Sequence, residues 1–279
     1  MIEKHTLHAA VVLLPALVAT PAFTAEDVTL APHRAVYDLA LKDASDRSGI
    51  RSLRGRIVYE FTGSSCEGYV SRYRFRTNVN MGQRELENDQ RSTVFESGDG
   101  KQFDFATQYF LNGQQEQDLS GSASQQDDGV AVKLTRPDER EIALEKAMFM
   151  NEHLKTIISK ARDGERVLAA KVFDGSADGD ELVDTTAIMG KEKPAGNAFE
   201  GEPDAVADQF AGTTGWPVSV SYFKPVDEEA RGERLPDYQV SFLLHADGIS
   251  RNLTMRYEDY AISGVLKQLD YLEAEPCAE

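Results

Sequence analysis

The chain has 279 residues, of which 41% are hydrophobic, and a chain of this length can bury a sizeable core. It carries 47 acidic against 30 basic side chains, a net charge of −17 at pH 7. Such a charge is repelled by nucleic-acid phosphates and by anionic lipid surfaces, so nucleic acid is not an expected partner.

Residues 1–22 predict a secretory signal peptide. Lys4 precedes an apolar run from Ala9 to Ala19, which is too short to span a bilayer permanently. Small residues follow the run and allow cleavage after Ala22, or as late as Ala25. Because no second long apolar stretch follows, we expect residues 23–279 to form one exported, β-rich domain without a stable membrane anchor.

Alternating apolar and polar residues dominate the first half of the chain. In residues 69–81, Tyr69, Tyr73 and Phe75 share one face, and arginines occupy the other. This period of two predicts a long, half-buried strand. Further strands are predicted at 36–41, 55–61, 90–96, 102–111 and 130–134.

One helix is predicted at 151–162. Leu154, Ile157 and Ile158 recur at helical spacing on one side. Asn151 is the expected N-cap, and Gly164 is expected to end the helix. The helix interrupts a chain that otherwise reads as strands.

Strands resume after the helix. They are predicted at 165–173, 181–189, 216–223, 238–245, 250–260 and 265–272. The stretch 190–215, rich in Gly, Pro, Ala and acidic residues, predicts a long mobile acidic loop. An antiparallel sheet of this many strands must curl, pair into a sandwich or close. The alternating faces favour a curved sheet with an apolar concave side, into which the helix would pack.

The sequence contains no strong signal for catalysis, a cofactor or a metal. The histidines that would remain after export lack metal-ligand spacing, and neither a nucleophile elbow nor a phosphate-binding loop occurs. Residues 174–180 match the first positions of a calcium loop, but Thr185 stands where a glutamate ligand is expected. We therefore interpret this segment as an acidic turn, with calcium binding as the less favoured alternative.

Cys66 and Cys277 are the two cysteines of the chain. In an oxidising compartment two such cysteines usually pair, and the alternative is two free thiols. We predict a disulfide between them, which would tie the end of the chain to the loop between two early strands.

Several segments together resemble the EipB-like proteins, periplasmic cell-envelope integrity proteins of alphaproteobacteria. They are the export signal, residues 172–176, 184–190 and 216–223, and the placement of the two cysteines. The resemblance implies a mainly β fold, a curled antiparallel sheet shaped like a spiral or cup and not closed into a barrel, with a helix in its concavity. It also implies a periplasmic location, a role in envelope integrity and a partner built from tetratricopeptide repeats.

Two hypotheses of function follow, and an enzyme is the least favoured class. The first is a non-catalytic protein that maintains the cell envelope through protein–protein contacts. The second is a carrier that holds a lipid or a lipoprotein acyl chain in its concavity. The side chains expected to line that concavity are Tyr69, Tyr73, Phe75, Leu154, Ile157 and Ile158.

Overall fold

The structure, a computed structural model, describes residues 28–176, 178–224, 234–274 and 277. The predicted signal peptide and both of its predicted cleavage positions lie outside the described residues.

Strands make up most of the described chain. In chain order they are β1 (His33–Ala44), β2 (Ser52–Ser64), β3 (Gly68–Asn80), β4 (Glu85–Glu96), β5 (Gln102–Leu111), β6 (Gln114–Gln125), β7 (Val130–Arg136), β8 (Arg140–Leu144), β9 (Val167–Val172), β10 (Val183–Met189), β11 (Lys193–Pro194), β12 (Thr214–Phe223), β13 (Tyr238–His245), β14 (Ser250–Tyr257) and β15 (Tyr260–Tyr271). Two α-helices accompany them, α1 (Met150–Arg162) and the one-turn α2 (Asp204–Ala207).

The strands form one antiparallel sheet. Its order is β8-β7-β6-β5-β4-β3-β2-β1-β15-β14-β13-β12-β10-β9, and the two-residue β11 pairs with β12 outside this path. The sheet curls but does not close, because β8 and β9 remain its edges. A single parallel bridge between Met148 and Val172 joins the segment after β8 to β9. This confirms the expected mainly β, unclosed, curled sheet.

The inner face of the sheet follows the alternation seen in the sequence. In β3, Tyr69 is buried and Tyr73 and Phe75 are half-buried, whereas Arg72 and Arg74 are exposed. On this strand the odd-numbered residues therefore face the concavity and the even-numbered residues face outward, as the period of two requires.

Several boundaries differ from the prediction. The pattern does not predict β6 because its sequence is almost wholly polar; its two apolar side chains, Leu119 and Ala123, are both buried. The predicted strand 250–260 contains all of β14 but runs too far, through a bend at 258–259 to the first residue of β15. A two-residue bend interrupts the alternation too briefly for the sequence pattern to reveal it.

The segment 190–215 is not the long loop that its composition predicted. It contains β11, α2 and a single 3₁₀ turn, and Val206 and Phe210 are buried against residues of β1, β15 and the β13–β14 turn. Buried Glu202 pairs with buried Arg251 of β14, whose guanidinium carbon lies 4.2 Å from the centre of the Phe210 ring. The acidic composition was misleading because one of its acids has a buried counter-charge supplied from a distant strand.

Candidate functional site

Helix α1 fills one end of the concavity. Ile157 and Ile158 are buried, and half-buried Leu154 packs against the same cluster. This helix-end cluster includes Tyr69 from β3 and Trp216 from β12, which lie far apart in the strand order. The helix therefore holds together two distant parts of the curled sheet.

The start of α1 is capped by a residue from the sheet. The N-cap position is Phe149, not the predicted Asn151, and no side chain of the helix caps it. Instead, the buried Glu96 carboxylate at the end of β4 accepts hydrogen bonds from the backbone N–H of Asn151 (2.8 Å) and of Glu152 (3.2 Å). Burial raises the pKa of Glu96 to about 7, although these two hydrogen bonds oppose the rise.

His153 belongs to the packing of the helix. Its Nε2 lies 3.2 Å from Thr185 Oγ1, and both residues are buried. Because Thr185 Oγ1 donates its proton to the Ala170 carbonyl oxygen at 3.0 Å, the imidazole donates to the hydroxyl. Burial lowers the pKa of His153 to about 4. The pair thus serves as a neutral anchor between α1 and β10.

The other end of the concavity is open. A cavity of about 530 Å³ lies there, in the size range of ordinary ligand sites. Phe75 and Tyr109 line one wall, and Tyr257 and Tyr260 line the other. Its lining mixes these aromatic rings with polar groups such as Gln90, so the cavity is amphipathic.

A row of stacked tyrosines leads from this open end across β15, β14, β13 and β12, toward the β9 edge of the sheet. The ring centroids of Tyr257 and Tyr260 are 4.7 Å apart, those of Tyr238 and Tyr257 6.0 Å, and those of Tyr222 and Tyr238 4.4 Å. Burial raises the pKa of Tyr222 to about 12, and the nearby Asp174 carboxylate adds to the rise. These phenols are therefore neutral hydrogen-bonding groups at physiological pH.

The six residues predicted to line the concavity do not share one environment. Tyr69, Leu154, Ile157 and Ile158 belong to the filled helix end, whereas Phe75 lines the open cavity. Tyr73 lies between these two regions, and its hydroxyl accepts a hydrogen bond from Gln90 Nε2 at 2.8 Å. The single lining predicted from sequence is therefore two separate environments.

The acidic segment 174–180 makes local contacts. Asp174 Oδ1 accepts a hydrogen bond from the backbone N–H of Ser176 at 2.8 Å, and Asp180 forms a salt bridge with Arg140 at 3.1 Å. These two carboxylates are thus directed to different protein partners. Among the residues that the structure describes, no three His, Cys, Asp or Glu side chains are grouped to hold a metal ion.

Cys66 and Cys277 form a disulfide, as predicted, and their Cα atoms are 5.6 Å apart. Cys66 lies in the turn between β2 and β3, so the bond fixes the chain beyond β15 to this hairpin. The two residues are separated by 211 positions in the sequence, which makes this a long covalent loop.

The outer side of β2–β4 carries a concentration of positive charge that we call the arginine face. It consists of Arg54, Arg56, Arg72, Arg74, Arg76 and Arg91, all exposed. Arg56 lies directly opposite Arg76, and Arg74 directly opposite Arg91, which places like charges on neighbouring strands. Asp89 bridges two of these arginines, because its carboxylate accepts hydrogen bonds from Arg74 at 2.7 Å and from Arg91 at 2.8 Å. These interactions, those from Arg74 most of all, lower the pKa of Asp89 to about 2.

An open, curled antiparallel sheet with a helix in its concavity defines a β-barrel-like class of protein. The crystal structure of a β-barrel-like protein of a domain of unknown function from Brucella abortus matches this chain with a TM-score of 0.81 and 36% sequence identity, over 88% of this chain and 100% of that one. The sequence profile described as EipB-like matches residues 24–273. The chain therefore belongs to the EipB-like family.

One curated relative has an assigned role. The chain is 38% identical over 253 residues to the cell envelope integrity protein EipB of Brucella abortus strain 2308, covering 90% of this chain and 88% of that protein. None of the helices in the described residues combines the length and apolar character needed to cross a membrane.

Sequence reasoning missed Glu96, Glu202 and Arg251, which are among the most deeply buried charged residues. Glu96 ends a strand, and nothing local marks it as the cap of a helix that begins 54 residues later at Met150. Arg251 precedes Asn252, which has a φ of +54°. The pairing register between β13 and β14 shifts at this point. The one local signal of this irregularity in the sequence is the asparagine itself, because asparagine tolerates a positive φ.

Proposed function

We propose that this protein is a non-catalytic periplasmic protein that maintains cell-envelope integrity through protein–protein contacts. The role of its relative in envelope integrity supports the envelope part of the proposal. The arginine face supports the contact part, because it concentrates positive charge on one outer surface of a chain with a net charge of −17.

The arginine face has the chemistry of a surface that recognises carboxylates. Arg72 and Arg76 each bind one partly exposed acid, Glu60 and Glu87, and have further N–H donors available. Like charges placed opposite one another destabilise a sheet, so this arrangement is better explained by recognition than by stability. The partner expected from the family resemblance, a tetratricopeptide-repeat protein, would present acidic side chains to this face.

The experiment is complementation of a deletion strain under detergent or cell-wall antibiotic stress. Arg72→Glu/Arg76→Glu reverses the charge, and Arg72→Lys/Arg76→Lys is the matched control that preserves it. We expect the glutamate variant, at normal abundance and with an intact fold, to lose protection and co-purification of its partner. Full protection by the glutamate variant would refute the contact role of this face.

A second candidate, the lipid or lipoprotein carrier, is favoured by the open cavity of about 530 Å³. Its aromatic walls would contact an acyl chain and its polar groups a headgroup. Native mass spectrometry of protein purified from its own periplasm tests this function. A lipid adduct that Thr77→Phe reduces, by filling the cavity, would support the carrier. Lipid-free protein that fully protects the envelope would exclude it.

A further inference from the structure

The edge strand β9 has one side without a neighbouring strand along most of its length. Its other side pairs with β10 from Val167 to Val172. The Lys171 carbonyl oxygen instead accepts a hydrogen bond from the Met148 N–H, and the Phe173 N–H donates to the Met148 carbonyl oxygen, both at 2.9 Å. Because backbone groups of alternate residues point to the same side of an antiparallel strand, Val167 and Ala169 direct their N–H and C=O groups away from β10, as Lys171 does.

The chain begins to cover this edge and then leaves it. Met148 makes one parallel bridge to β9, and α1 starts two residues later at Met150. A cavity of about 890 Å³ lies beside the uncovered part, and we call it the edge slot. Its lining includes Ala169 and Ala170 of β9, Gln125 and Gln126 at the end of β6, and the turn 97–101. It is large enough to hold a peptide-sized ligand.

The two edges of the sheet are protected differently. At β8, Arg140 and Glu141 are exposed charges of the kind that discourages pairing with another chain. At β9, Val167 is 57% exposed, and Ala169 is exposed beside it. The exposed charge on β9 is Lys171, next to the Met148 bridge, so Val167 and Ala169 leave the rest of this edge without charged protection.

The charges around the edge slot favour an acidic ligand. Its lysines are Lys101, Lys146, Lys155 and Lys171, and its acids are Glu96, Asp99 and Glu152. Two of these acids are engaged locally, since Glu96 accepts N–H groups of α1 and Asp99 accepts the Ser97 hydroxyl and the Lys101 N–H. Two of the lysines are also engaged, Lys101 with Asp99 and Lys171 with Glu145 and Asp184. Lys146 and Lys155 form no salt bridge among the described residues, so these two are the charges available to a ligand.

We propose that the edge slot binds an extended acidic peptide segment of a partner protein, which adds to β9 as a further strand. Main-chain hydrogen bonds to Val167, Ala169 and the N–H of Lys171 would provide affinity, and the unpaired lysines would select acidic side chains. The proposal deepens the protein-contact function and rests on it, but the strand that would pair with the peptide, β9, is distant in sheet order from the arginine face on β2–β4.

The test uses a fluorescein-labelled octapeptide of alternating valine and glutamate and the mature protein. We expect saturable binding by fluorescence anisotropy. A peptide with its glutamate amides N-methylated and another with its valine amides N-methylated are the controls, because strand addition requires N–H donors on one edge only. One of the two should bind at least about tenfold more weakly, equivalent to about 1.4 kcal/mol, and replacing glutamate by lysine should also weaken binding.

Two protein variants complete the test. Ala169→Pro removes an N–H that points into the slot and not toward β10, a position where an edge strand tolerates proline. It should weaken binding about tenfold or more while thermal unfolding shows a folded protein. If it fails to fold, Lys146→Glu, which leaves the backbone unchanged, should still weaken binding. In hydrogen exchange, bound peptide should protect the amides of Val167 and Ala169 more than that of Leu168.

Three results would overturn the proposal. The first is the absence of saturable binding up to about 1 mM peptide. The second is equal binding of the two N-methylated peptides. The third is binding only to a chain shortened to start at Val28. The last result would mean that the chain's own N-terminal residues occupy the slot. If peptide binding fails but the Arg72→Glu/Arg76→Glu variant still loses protection, the proposed function stands without this site.

Discussion

Replacing Glu96 by glutamine tests the cap that joins α1 to the sheet. Burial raises the pKa of Glu96 from 4.5 to about 7 in the folded protein. A difference of one pKa unit between two states is worth about 1.4 kcal/mol, so this rise corresponds to roughly 3 kcal/mol. Glutamine has nearly the same shape and can still accept one N–H, but it does not ionise.

The sign of the effect follows from proton binding. Between pH 4.5 and 7 the folded protein keeps a proton on Glu96 that the unfolded chain has released. This contribution to stability is therefore fully present below pH 4.5 and is lost as the pH rises through about 7. We expect the unfolding free energy of the natural protein, minus that of Glu96→Gln, to fall by roughly 3 kcal/mol between pH 4 and pH 8.

The assay is urea unfolding at a series of pH values. The chain has one tryptophan, Trp216, which is buried in the helix-end cluster and reports the loss of that packing by fluorescence. The lowered pKa values of His153 and His245 affect both proteins and cancel in the difference. Glu96→Ala removes the cap as well as the titrating group, so it should be less stable than Glu96→Gln by about 1 kcal/mol at every pH. A difference between natural protein and Glu96→Gln that does not change with pH would refute the buried-carboxylate reasoning.

Three further predictions concern stability. Cys66→Ser should lower the melting temperature as much as removing both cysteines, because either change removes the same disulfide. The upper limit of the stability lost is about 5 kcal/mol for so long a loop. A larger loss in the double variant would contradict this. Phe75→Asp should lower the free energy of unfolding in urea by about 3 kcal/mol, and Arg72→Ala should lower it by less than about 1 kcal/mol. Equal losses would show that the assignment of inner and outer faces is wrong. Glu202→Ala should lower the free energy of unfolding by about 3–5 kcal/mol, because it leaves the charge of Arg251 buried without a partner. Glu202→Leu/Arg251→Met removes both charges and should lower it much less. A larger loss in the double variant would exclude this explanation.

Much of the fold could be predicted because local alternation reflects burial on a curved sheet. The inner face of β3, the helical side of α1 and the disulfide all follow from residues that are close in sequence or are unique in the chain. Gly164 adopts the φ of +81° expected after a helix end. The polar strand β6 escaped prediction because neighbouring strands supply its hydrogen bonds, and such pairing leaves little trace in its own composition.

The sequence by itself determined the class of fold, the alternating faces and the family. Periodicity, cysteine number and family motifs are written in consecutive residues, so they can be read without coordinates. Only the tertiary structure decided that Glu96 caps α1, that Glu202 and Arg251 form a buried pair, and that the edge of β9 borders a slot. These features depend on which strands become neighbours when the sheet curls, and that is set by long-range packing that no local pattern encodes.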